Sequence, residues 1–114
     1  MAPVRWPNRG DIYWVKLDPT LGTEIRKTRP AVVISNDSCN KYGSRVVVIP
    51  ITGNVDSLYP GEVRIRLKGK PARVLGDQIR SIDRSRLGAR LAALSSAELR
   101  KVEEAVQLTL GLKP

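Results

Sequence analysis

Asp18-Pro19-Thr20-Leu21-Gly22-Thr23-Glu24-Ile25-Arg26-Lys27-Thr28-Arg29-Pro30 separates two strand-like runs, Ile12-Tyr13-Trp14-Val15-Lys16-Leu17 and Ala31-Val32-Val33-Ile34. In the first run, side chains alternate between faces: Ile12, Trp14 and Lys16 on one, Tyr13, Val15 and Leu17 on the other. Asp18-Pro19 closes it, because proline cannot donate to a strand ladder. The second run is apolar on both faces, the pattern of a strand covered on both sides. The connection between them is longer than the roughly two to five residues of a plain hairpin. It gathers Arg26, Lys27 and Arg29 around one carboxylate, Glu24. A long, charged loop on a β scaffold is more often functional than a short one.

The surrounding chain supplies the scaffold. Residues 1–9 form a basic lead-in, with Trp6 expected to lie across the barrel. Asn36-Asp37-Ser38 is a turn or helix-cap cluster, and one helical turn is expected from Cys39 to Tyr42. Arg45-Val46-Val47-Val48-Ile49-Pro50-Ile51-Thr52 is again apolar on both faces, and Pro50 marks an edge or a bulge. Two such strands call for a cover on an outer face, from a helix or a second subunit. Glu62 to Leu67 alternates cleanly, with Val63, Ile65 and Leu67 inward. Lys68-Gly69-Lys70-Pro71 is a basic turn. Arg73 to Ile82 reads as one strand interrupted at Gly76 by a bulge or a close backbone approach. Ser95-Ser96-Ala97-Glu98 is a capping box that opens a helix with an apolar face at Leu99, Val102, Val106 and Thr109 or Leu110; Gly111 ends it. About six short strands and one C-terminal helix predict a mainly β fold: a small, strongly bent antiparallel sheet or barrel with the helix packed against it.

Composition narrows the function. The 114 residues make one domain, 1–114, with 41% hydrophobic residues and no stretch long enough for a membrane span. No apolar signal-peptide region opens the chain. The lone Cys39 cannot form an internal disulfide and suits a reducing cytoplasm; no histidine stands near to make it a nucleophile. The net charge is +9, and it is not spread evenly. Before Ser95 stand 17 basic and 8 acidic residues; from Ser95 onward there are three of each. The excess therefore belongs to the β-rich body, as expected for a polyanion partner or, more blandly, for a solubility device. There is no histidine, which removes the usual acid–base group near neutral pH and the commonest metal ligand. No metal or other cofactor is expected.

Four groups converge if the sheet closes: Arg29 at the base of the second strand, Thr52 at the end of the third, Glu24 on the loop, and Asp77-Gln78 at the interruption. They suit attack of an RNA 2′-hydroxyl on its own phosphate. The nucleophile then belongs to the substrate. Arg29 and Thr52 supply donors to the developing phosphorane, and Glu24 or Asp77 accepts the proton. The plainer alternatives are an Arg29–Glu24 surface ion pair, an ordinary strand-end threonine, and a solvated face at Arg80, Arg84, Arg86 and Arg90.

The chain also resembles a known family. Gly10-Asp11-Ile12-Tyr13-Trp14, Leu17-Asp18-Pro19-Thr20, Gly22-Thr23-Glu24, Lys27 to Asp37, Pro50-Ile51-Thr52, and Asp77-Gln78-Ile79-Arg80-Ser81-Ile82-Asp83 with Arg86-Leu87 are similar to blocks of the MazF/PemK bacterial toxins, in the family's order and over nearly the whole chain. The resemblance implies an SH3-like small barrel of the MazF/PemK/CcdB type, a homodimer, and a metal-independent endoribonuclease. Such an enzyme cuts single-stranded RNA, often at a short sequence, leaving a 2′,3′-cyclic phosphate and a 5′-hydroxyl. It implies a MazE-like antitoxin that threads a disordered acidic segment over the site. Carried over by position, the catalytic arginine is Arg29, the catalytic threonine Thr52 and the loop glutamate Glu24. Asp77 and Gln78 are the polar pair on RNA, with Thr20, Lys27, Thr28, Arg80 and Arg86 as further expected RNA contacts. The chain departs from the family at Leu75, where some members carry an arginine acting as general acid, and at Ile25-Arg26-Lys27-Thr28, which replaces a glycine-rich loop. The alternative is a CcdB-like toxin that binds DNA gyrase without catalysis. A plain RNA-binding barrel would call for stacking aromatics, and these make up only 4% of the chain.

Overall fold

Seven strands and two helices follow in the order β1 (Asp11–Lys16), β2 (Thr28–Val33), α1 (Asp37–Tyr42), β3 (Arg45–Thr52), β4 (Glu62–Leu67), β5 (Lys70–Leu75), β6 (Arg80–Asp83), β7 (Leu87–Ala93) and α2 (Ser96–Leu110), with 3₁₀ turns at Gly76–Gln78 and Arg84–Arg86. The computed structural model describes residues 6–18, 22–24 and 27–112. The strands form one antiparallel sheet in the order β4-β5-β3-β2-β1-β7, with β6 beside β3. The mainly β architecture with one long C-terminal helix is the expected one.

The hub is β3. On one side it pairs with β2, Ala31 opposite Pro50 and Val33 opposite Val48. Its other side is shared. β5 takes Ile51 and Thr52, while β6 takes Arg45 to Val48. Arg73 to Ile82 is therefore two strands and not one. The 3₁₀ turn at Gly76–Gln78 separates them and faces Ile49 and Pro50. Gly76 is required there, because a Cβ would overlap the Gly61 carbonyl oxygen. Pro50 lies at neither an edge nor a bulge. It sits inside the central strand at the place where one neighbouring strand is interrupted.

Alternation along β2 and β3 feeds two cores. Val32, Ile49 and Ile51 join Ile12, Ile65, Ala72, Val74 and Val102 of α2 in the first. Ala31, Val33, Val46 and Val48 join Val15, Leu17 and Ile82 in the second, with Tyr13 and Leu87 packed against it. Each fully buried Val, Leu or Ile contributes about 1.5–3 kcal/mol of transfer free energy. The cover for the doubly apolar strands is thus α2 on one face and the curl of the sheet on the other. β7, Leu-Gly-Ala-Arg-Leu-Ala-Ala, has no β-branched residue and no strand signal of its own. Pairing with β1, through two register irregularities, makes it a strand.

Local signals fix the helices. The Asn36 side chain accepts from the Cys39 N–H to start α1. Trp6 lies against this helix, with Lys41 Nζ 5.0 Å from its ring centroid. Gly111, at φ 69°, ends α2. The capping box at the start of α2 does more than cap. Glu98 Oε1 accepts from the Ser95 N–H at 3.0 Å, and its Oε2 accepts from the Arg66 N–H of β4 at 3.0 Å. One carboxylate thus ties the helix start to the sheet.

Burial pushes the Glu98 carboxyl up, but these N–H groups outweigh it and hold the group below its ordinary 4.5. The folded state then binds fewer protons at Glu98 than the unfolded chain. The carboxylate's contribution is present above pH 4.5 and is lost as pH falls through the lowered value. Glu98→Gln is expected to cost about 1 kcal/mol at pH 7 and to flatten the loss of stability below pH 4.5. Urea titrations at a series of pH values check this, and parallel pH profiles for the two proteins would refute it.

Candidate active site

The β2–β3 register, continued two residues past Ala31 and Pro50, sets Arg29 across from Thr52. Alternation puts both on the face of the second core, one layer outside it at the rim of the curled sheet. Arg29 is half-buried, and its backbone is paired with Val15 of β1. It is therefore held by a strand, although it borders a loop. Thr52 is half-buried as well. Its Oγ1 accepts from the Asn54 N–H at 3.2 Å and keeps a hydroxyl proton to donate.

Next to this pair is a cleft of about 160 Å³ lined by Glu24, Pro50, Asp77, Gln78, Ile79 and Arg80. Pro50, two residues from Thr52 on the same face, joins the cleft to the pair. The interruption after β5 is what turns Asp77 and Gln78 toward it. A continuous strand would have placed them in the ladder along β3.

Arg80 and Arg86 are bound to backbone. Arg80 Nη1 donates to the Leu17 carbonyl at 3.1 Å. Arg86 Nη1 donates to the carbonyls of Lys16 at 3.1 Å and Asp18 at 2.6 Å. Both side chains thus hold the end of β1, where the long loop leaves the sheet. The loop's neck is closed by the Leu17 N–H donating to the Lys27 carbonyl at 3.0 Å. Lys27 has φ 68°, a left-handed conformation that costs a non-glycine residue about 1 kcal/mol and that clusters at functional loops. Thr28 is exposed and pairs with Lys16. Thr20 lies outside the described residues. Among the described residues, no group of three or more His, Cys, Asp or Glu side chains is placed to hold a metal ion.

Arg73 is a residue that sequence reading passed over. It sits directly opposite Thr52 on β5 and is buried. Its Nη1 donates to the Ser57 carbonyl at 2.6 Å and to Glu62 Oε1 at 3.0 Å, and that carboxylate also accepts from the Tyr59 N–H. Among the described residues its Nε has no hydrogen-bond partner. Arg73 thus pins the loop from Gly53 to Gly61 beside Thr52. The available signal was an arginine between apolar neighbours, Ala72 and Val74. Arg73→Met is expected to cost about 2 kcal/mol while Glu62 keeps the Tyr59 N–H, and to speed amide exchange across 53–61. Denaturant unfolding and hydrogen exchange read the two effects. Unchanged exchange in the loop would show that Arg73 does not hold it.

A curled antiparallel sheet with a helix over one face, and a cleft at its rim lined by two carboxylates and an arginine, is a fold with close structural counterparts. MazF from Deinococcus radiodurans superposes with a TM-score of 0.85 at 31% identity, over 96% of this chain and 100% of that one. A mycobacterial endoribonuclease in complex with its cognate antitoxin superposes with a TM-score of 0.79 at 24% identity, over 95% and 98%. In the MazE–MazF complex of D. radiodurans the match is 0.77 at 27% identity, over 96% and 100%. Residues 8–110 match the model of the PemK-like, MazF-like toxins of type II toxin–antitoxin systems. The chain belongs to that family. Among the described residues, no helix is long and apolar enough to cross a membrane.

Proposed function

We propose that this toxin is a metal-independent endoribonuclease that cuts single-stranded RNA at preferred short sequences and so blocks translation in the cytoplasm. The ribose 2′-hydroxyl attacks the adjacent phosphorus, the bond to the 5′-oxygen breaks, and the leaving 5′-oxygen takes up a proton from water. The products carry a 2′,3′-cyclic phosphate and a 5′-hydroxyl. The observation that carries this reading is a strand register that, continued from Ala31 and Pro50, runs Arg29 toward Thr52 beside a cleft lined by Glu24, Pro50, Asp77 and Gln78. A guanidinium and a hydroxyl on neighbouring strands beside one cleft can together serve a phosphorane, which gains charge on its equatorial oxygens. Arginine does not give up its proton at working pH, so Arg29 acts by charge and hydrogen bonding. Glu24 accepts the 2′-hydroxyl proton, with Asp77 as the other carboxylate within the cleft. Gln78, Lys27, Thr28 and Thr20 contact flanking nucleotides. Arg80 and Arg86 fix the loop that carries several of them.

Two partners belong to this reading, and the antitoxin complexes of the relatives support an antitoxin as one of them. One is a second copy of the chain. The other is an antitoxin with a disordered acidic segment, drawn to the +9 charge and laid over the cleft. A gyrase-binding toxin would have no use for an arginine and a threonine opposed at a cleft.

Incubating the purified protein with single-stranded RNA and a chelator tests the function. Cleavage that persists without divalent metal is expected, with gyrase supercoiling unaffected. Intact RNA together with inhibited gyrase would overturn the proposal.

A further inference from the structure

The β4–β5 hairpin contributes no residue to the lining of the cleft. Arg64, Arg66, Lys68 and Lys70 are all exposed, and no carboxylate stands between Val63 and Ala72. The nearest acid in sequence, Glu62, is taken up by Arg73. Register links the hairpin to the candidate site: Thr52 is opposite Arg73, and Arg73 is opposite Arg64. With strands roughly 4.8 Å apart, the Arg64 backbone lies about 10 Å from that of Thr52. Arg66 follows on the same face, about 7 Å further along β4.

The tip is shaped. A two-residue turn joins Leu67 to Lys70, with φ 51° at Lys68 and 81° at Gly69, and Arg66 Nη2 donates to the Gly69 carbonyl at 2.6 Å. Turns of this shape favour Asn, Asp or Gly at their first position. A lysine stands there instead, so a cation occupies a position where local geometry prefers another residue. On the face of Arg64 and Arg66 the intervening Ile65 points the other way, into the core. Cations without apolar side chains between them recognise charge rather than sequence, as a phosphate backbone requires.

We infer that the β4–β5 hairpin is a second RNA-binding surface, which holds backbone phosphates of the strand leaving the cleft. This rests on the endoribonuclease reading, but it can be measured without cleavage. Edge cations also guard a sheet against pairing with other chains, and β4 is an edge strand. The test separates the two roles.

Anisotropy titrations would use 2′-O-methyl RNAs, which the proposed chemistry cannot cut: one oligonucleotide just spanning a cut site, and one long unstructured strand. The variant Arg64→Gln/Arg66→Gln/Lys68→Asn/Lys70→Gln is expected to lose at least about tenfold of the wild-type preference for the long strand. Its log–log salt slope on that strand should become shallower by up to about three, at roughly 0.7 per single-strand phosphate contact. The charge-keeping variant Arg64→Lys/Arg66→Lys/Lys68→Arg/Lys70→Arg should retain both. If the fourfold neutral variant does not fold, Lys68→Asn/Lys70→Gln at the exposed tip should still reduce the slope by about one. Unchanged preference and slope would overturn the inference. That holds whether the variant aggregates, as edge protection predicts, or loses affinity only for polyglutamate, as an acidic protein partner predicts. Wild-type protein that cleaves no RNA, with the long-strand preference and salt slope still lost in the neutral variant, would support the hairpin and refute the endoribonuclease reading.

Discussion

Arg29→Ala is expected to leave a folded protein whose RNA cleavage falls at least about a hundredfold. The backbone of Arg29 is paired with Val15 whatever side chain it carries, and the side chain is only half-buried. The stability cost is therefore small, about 1 kcal/mol. The expected rate effect is large because the proposed mechanism has the guanidinium meet the charge that the phosphorane gains, and removing one such donor from an active site typically costs about a hundred- to a thousandfold. Arg29→Lys keeps the charge but loses the planar fork, and should fall between alanine and wild type. A melting curve and a single-turnover assay on the same preparation separate folding from chemistry. A folded Arg29→Ala that cuts as fast as wild type would remove Arg29 from the site.

Gly76→Ala is expected to be the most damaging single methyl in the chain. The added carbon would overlap the carbonyl of Gly61, which is backbone and cannot swing away. Gly61 itself has φ 86°, and a side chain there would meet Thr109 of α2. The two glycines let the start of β4, the 3₁₀ turn and the helix approach one another. Overpacking of this kind costs about 3 kcal/mol and lowers Tm by roughly 10 °C in a domain of this size. Because Asp77 and Gln78 occupy the same turn, RNA cleavage should fall even below the melting transition. A thermal melt together with cleavage measured well below Tm checks both. A melting temperature within a degree or two of wild type would mean that the Gly61–Gly76 contact is not close.

The architecture could be read where local pattern and burial agree. The doubly apolar runs Ala31–Ile34 and Val46–Ile51, the alternation from Glu62 to Leu67, and the capping box at Ser95 each carry their own instruction, and each became the expected element. Reading failed where tertiary pairing decides. β7 has the composition of a helix or a loop and is a strand only because β1 lies beside it. Pro50 announced an irregularity, but not that its strand is central, because the interruption belongs to a neighbour 26 residues away in sequence. At the candidate site, the placement of Arg29 relative to Thr52 depends on the β2–β3 register, which no single stretch encodes. Arg73 escaped notice because arginine in a strand usually faces water; only the strand-by-strand alignment shows it facing Thr52 from beneath a loop. Arg80 and Arg86 were visible as charge, whereas their grip on Leu17, Lys16 and Asp18 carbonyls was not.

The central claim is that the substrate's own 2′-hydroxyl is the nucleophile and that Arg29 and Thr52 stabilise the phosphorane it forms. Two RNAs that differ only in the sugar 5′ to the cut, ribose in one and 2′-deoxyribose in the other, test it directly when incubated with the protein in excess chelator. The ribose strand should be cut to a 2′,3′-cyclic phosphate and a 5′-hydroxyl, and the deoxy strand should stay intact. Cleavage of the deoxy strand at a comparable rate, or no cleavage of the ribose strand until a divalent metal is added, would contradict it.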